Sequence, residues 1–183
     1  VIASLMTSIV ATSVLAQELT PSFSSAKPVW PEGRETERNL LVEFRSTFDR
    51  PDAGSIVLRL AGASLYRVYV NGGFLGHGPA RAGHGFYRVD EWDISPKALK
   101  PGRNEVVIEV AGYNANSFYL LDQPSFLQAE IVAGGKTIAA TGADGFTAAI
   151  RHDRVQKTQR YSFQRPFSEV WTLPGPAAEP AKC

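Results

Sequence analysis

The sequence predicts an all-β chain built as an antiparallel β-sandwich. Eight or more short segments alternate apolar and polar residues with period two, and Gly-, Pro- and Asn-rich turns separate them at a spacing of roughly ten residues. After residue 17 no stretch carries a 3.6-residue apolar stripe. The 183 residues, 44% of them hydrophobic, suffice for one well-cored domain with tails.

The elements follow in order. Residues 1–16 are apolar, small and uncharged, with Val14 and Ala16 at the minus-three and minus-one positions before Gln17. They are expected to be the remnant of a secretory signal peptide, which places the protein outside the cytoplasm, secreted or periplasmic. The run is too short to span a bilayer comfortably. Residues 17–39 form a polar leading linker broken by Pro21, Pro28 and Pro31, with Trp30 expected to pack on the first strand or a neighbouring domain. The sandwich is expected over 40–172. Its first strand, from residue 40, puts Val42, Phe44, Ser46 and Phe48 on one face. Strands at 55–61 and 65–70 follow, and Asn71-Gly72 marks a tight hairpin because both residues tolerate positive φ. A short return strand starts at Phe74, and residues 76–85 form a glycine-rich loop. Further strands are expected at 86–92, 105–111, 126–133, 137–141, 146–151 and 160–163, with a helical turn from Ser95 to Leu99. The Pro- and Ala-rich residues 173–183 read as a linker at a cut end.

Charge narrows the partners. Nineteen basic and 18 acidic residues give a formal net charge of +1, and the arginines are scattered. Nothing here favours nucleic acid or an anionic membrane. Cys183 is the sole cysteine, so no intrachain disulfide can form.

Four features hold polar chemistry. The glycine loop contains Arg81, His77 and His84, but a strand follows it and Pro79 removes an N–H, so it lacks the helix N-terminus of a phosphate cradle. A close backbone approach to a sugar or another domain suits it better. Two loop histidines without a cysteine make a poor zinc set, and no metal or cofactor is expected. Glu91 and Asp93 share a strand face at roughly 6.6–7 Å, a spacing permissive for a glycosidase pair, although Asp93 could equally cap the helical turn. Residues 112–119 place Tyr113 and Tyr119 beside Asn114 and Asn116, rings and amides being the usual tools for sugars. No nucleophile elbow or Walker sequence is present.

The runs V-Y-V-N-G-G-F-L-G-H-G-P-A-R (68–81), G-F-Y-R-V-D-E-W-D-I-S (85–95) and L-K-P-G-R-N-E-V-V-I-E-V (99–110) resemble the galactose-binding-like jelly-roll sandwich found in many glycosidases. With Y-N-A-N-S-F-Y (113–119) and Q-R-P-F-S-E-V-W (164–171), the chain is similar over about residues 28–172 to the N-terminal region of bacterial α-L-rhamnosidases of glycoside hydrolase family 78 type. That resemblance implies an accessory domain: catalytic carboxylates in such enzymes lie in a separate helical barrel, so no catalytic residue carries over. The expected partners are carbohydrate, the enzyme's own catalytic domain, or both. The candidate contact residues for either are Arg81, His84, Tyr87, Tyr113, Asn114, Asn116 and Tyr119. A freestanding carbohydrate-binding module, a purely structural spacer, and a small glycosidase using Glu91 and Asp93 are the alternatives.

Overall fold

The computed structural model describes residues 22–52, 54–83 and 85–183, so the expected signal segment lies outside the described residues. Period-two patterning becomes ten strands: β1 (Leu40–Asp49), β2 (Ile56–Ala63), β3 (Leu65–Val70), β4 (Gly73–Gly78), β5 (Asp90–Asp93), β6 (Arg103–Gly112), β7 (Phe126–Ala133), β8 (Lys136–Ala140), β9 (Thr147–Ile150) and β10 (Glu179–Ala181). A single 3₁₀ turn, Pro96–Ala98, precedes β6. The strands form a six-stranded sheet in the order β10-β9-β1-β6-β3-β4 and a four-stranded sheet in the order β5-β2-β7-β8. Neighbouring strands in both sheets run antiparallel.

The core lies between the sheets. Val42 and Phe44 of β1, Val68 of β3 and Ile108 and Val110 of β6 face Leu58 and Leu60 of β2 and Leu127, Ala129 and Ile131 of β7. Each is essentially sealed from solvent, and burying a side chain of this kind contributes about 1.5–3 kcal/mol. The Asn71-Gly72 hairpin forms as expected, with φ of 51° and 81°.

Four segments differ from the sequence expectation. Pairing of β5 with β2 begins only at Asp90, so residues 86–89 are not a strand, and 86–88 are exposed. The expected strand at 160–163 reduces to one bridge between Arg160 and Phe167. The two segments expected as linkers dock on the sandwich. In the leading one, Val29 bridges to Leu127, and Trp30 is buried with its ring centroid 5.9 Å from that of Phe44. Ser24, Ser25 and Ala26 donate backbone N–H bonds of 3.0–3.4 Å to the fully buried Glu130 carboxylate. At the other terminus β10 pairs with β9 and covers its edge. Buried backbone and carboxylate groups require partners, and these segments supply them.

This topology gathers the corner at 62–65 and the loops 79–89 and 113–125 at one end of the sandwich. Residues 151–173 then cross the outer face of the six-stranded sheet as a strap. Arg151 ties the strap down, reaching Glu43 at 2.9 Å and Glu109 at 3.0 Å.

Candidate functional site

The loop end is shaped by two glycines. A Cβ on Gly76 would sit 2.4 Å from the Trp92 ring, and one on Gly78 2.4 Å from the Tyr66 hydroxyl. The close approach expected of this loop is therefore made to the protein's own rings. Tyr66, buried, donates its hydroxyl to Asp90 and accepts a 3.2 Å bond from the Trp92 indole. Burial first, then the bond to Asp90, pushes the Tyr66 hydroxyl far above the ordinary phenol range. Asp90 also takes a 2.7 Å bond from Arg88. The root of the 79–89 loop is thus fixed.

Over this root lies an open groove of about 700 Å³, lined by the corner and the two long loops. Arg81, Tyr87 and Tyr119 all line it. The Arg81 guanidinium sits 6.0 Å from the centre of the Tyr119 ring, within cation–π reach. Tyr87 meets Phe126 edge-on at 4.6 Å, which holds its ring upright. Phe86, Phe118 and Leu121 add exposed apolar surface. The alternating pattern could not mark these three, because they sit where the ladder has stopped. His84 lies outside the described residues.

Tyr113 and Asn114, expected beside them, are instead buried. The Asn114 side chain donates to the Glu37 carbonyl at 3.0 Å and to Ser125 Oγ at 2.8 Å. Tyr113 stacks on Phe167 at 6.3 Å and lies under the Arg154 guanidinium at 5.3 Å. Burial raises its hydroxyl pKa, with the Arg154 charge pulling the other way. The leading segment and the strap, both remote in sequence, close over these residues. Asn116 is exposed but committed to loop structure: its Oδ1 accepts from the Asp122 N–H at 2.9 Å, and its carbonyl takes a 2.5 Å bond from Arg160.

Glu91 and Asp93 are both exposed on the sheet-edge strand β5, and Glu91 is held by Arg59 at 2.5 Å. Ser95, not Asp93, caps the 3₁₀ turn, its Oγ accepting from the Lys97 N–H at 3.3 Å. Among the described residues no group of three or more His, Cys, Asp or Glu is placed to hold a metal ion, and no helix is long and apolar enough to cross a membrane.

No protein-family model matches the chain. A family 78 rhamnosidase of Bacillus sp. GL1 superposes with a TM-score of 0.77 at 30% identity, over 86% of this chain and 18% of that one. An α-L-rhamnosidase from Aspergillus terreus (TM-score 0.57, 15% identity, 81% of this chain and 18% of that one) shares the fold. So does the Streptomyces avermitilis α-L-rhamnosidase solved with L-rhamnose (TM-score 0.52, 17% identity, 85% and 14%). In sequence, a β-galactosidase of Arthrobacter sp. (strain B7) is 39% identical over 88 residues, 44% of this chain and 8% of that enzyme. The fold is thus an antiparallel β-sandwich of the kind carried within large glycosidases. More particularly, the chain is similar over most of its length to a sandwich of glycoside hydrolase family 78 rhamnosidases. It spans less than a fifth of each of these relatives.

Proposed function

We propose that this chain is a non-catalytic accessory β-sandwich of a secreted, α-L-rhamnosidase-like glycoside hydrolase, and that its loop-end groove contacts carbohydrate. One observation carries the reading: Arg81, Tyr87 and Tyr119, from two loops separated by β5 and β6, converge on one open groove. Rings of this kind stack on the apolar face of a sugar, and a guanidinium directs planar donors at paired hydroxyls. Of the two carboxylates weighed for catalysis, Glu91 is engaged by Arg59 and Asp93 stands exposed on the same edge strand.

The test is an NMR titration of the chain with L-rhamnose at ~10 mM, a concentration suited to the millimolar affinity of a shallow site. The Tyr87 and Tyr119 ring signals and the Arg81 side-chain N–H are expected to shift together. If all three stay still, the groove is no rhamnose site. The bare rings of Phe86 and Phe118, 77% and 73% exposed, then favour the second reading, in which this end of the sandwich packs on the catalytic domain.

A further inference from the structure

The strap leaves a second cavity, which borders the loop-end groove at Leu65. It lies between residues 151–173 and the outer face of the six-stranded sheet, with a volume of about 180 Å³. Leu41 and Leu65 give it apolar lining, and the partly exposed Trp171 and the buried Arg154 line it as well.

Arg154 is the informative residue. It is only 3% exposed, and no carboxylate among the described residues pairs with it. The acids nearby are taken: Glu169 pairs with Arg67 at 3.4 Å, and Glu43, Glu109 and Asp153 converge on Arg151. What the Arg154 side chain has is neutral: Asn39 Oδ1 at 2.8 Å, the Tyr113 hydroxyl at 3.4 Å and the Tyr113 ring face. Its Nε has no partner among the described residues. A guanidinium cannot shed its proton to escape burial, and buried charges ordinarily have a counter-ion.

We propose that this cavity is a binding site for a single sugar ring bearing a carboxylate, a uronic acid, whose carboxylate pairs with Arg154. The chemistry fits on three counts. Arginine takes a carboxylate through parallel N–H bonds. The Trp171 ring offers a stacking face. Glu109 and Glu169 stand on the cavity wall as hydroxyl acceptors. At about 180 Å³ the site falls below the roughly 300–1,000 Å³ of drug-sized ligand pockets, so it admits one ring and not a chain. The site does not depend on the loop-end groove.

The test titrates the chain with D-glucuronate, D-glucose and acetate at ~10 mM each, following the Arg154 Nε–H resonance and the Trp171 indole N–H. Glucuronate is expected to shift both, and glucose to shift neither. Trp171→Ala, at a partly exposed strap position, is expected to weaken glucuronate binding about tenfold, and Arg154→Met to weaken it further. Should Arg154→Met fail to fold, the wild-type Arg154 resonance and the Trp171 variant decide. Unmoved Arg154 and Trp171 signals would overturn the proposal. Equal shifts from acetate and glucuronate would overturn the sugar assignment. Shifts confined to Tyr87 and Tyr119 would overturn this site while supporting the groove.

Discussion

Glu130 shows how one residue decides the state of a whole segment. Its carboxylate is fully buried, faces the N–H groups of residues 24–26 and has Arg59 at 3.5 Å. Removing it strands those donors, so Glu130→Ala should cost about 3 kcal/mol in urea unfolding. Glu130→Gln should cost less, because the amide oxygen keeps one acceptor. Two titrations set the pH limits. The Arg151 guanidinium, hydrogen-bonded to Asp153, holds that carboxyl below its ordinary value. Its folded pKa is the lower one, so the stabilisation is present above about pH 4 and is lost as pH falls through the folded value. Tyr66 has the opposite sign. Its folded pKa lies above that of the unfolded chain, so its contribution is complete below about pH 10 and is lost as pH rises toward the folded value. In stability-versus-pH curves, Asp153→Asn should flatten the acid limb and Tyr66→Phe the alkaline limb.

Among the elements, the glycines of one hairpin separate two kinds of constraint. Gly72 has positive φ and open space around it, so Gly72→Ala strains only the backbone and should cost about 1 kcal/mol. Gly76 has an ordinary φ but no room, and Gly76→Ala drives a methyl into Trp92, at about 2–3 kcal/mol. Hydrogen exchange checks the difference: Gly72→Ala should loosen the β3–β4 turn alone, and Gly76→Ala should also loosen β5. Strand faces were legible in advance. Val42, Phe44, Ser46 and Phe48 all turn inward, because one buried face forces a period of two. The short strand β10 was not legible, since Glu-Pro-Ala has no strand signature and pairs only because β9 offers a free edge.

For the molecule as a whole, the docked termini should melt with the sandwich. Amide protons of Ser24, Ser25 and Ala26 are expected to exchange about as slowly as those of β7, and far-UV dichroism and tryptophan fluorescence should give coincident transitions. A fast-exchanging leading segment would mean that Glu130 does not anchor it. The aromatic end is the other global feature. Phe86, Phe118, Tyr161 and Phe163 are all largely bare.

Local chemistry settled much of this protein. Alternation fixed most of the strands and their buried faces, Asn71-Gly72 fixed the hairpin, and the motif runs carried the resemblance to family 78 rhamnosidases, because each depends on neighbours only a few residues away. The placement of the candidate residues was half legible: Arg81, Tyr87 and Tyr119 line one groove, whereas the similar-looking Tyr113 and Asn114 are buried. That distinction, the cavity beside Arg154 and the anchoring of residues 24–26 on Glu130 were decided by tertiary structure alone. Burial at those positions is set by groups such as Glu37, Arg154 and Glu130 brought in from far along the chain, and no local pattern encodes which distant segment will cover a given loop.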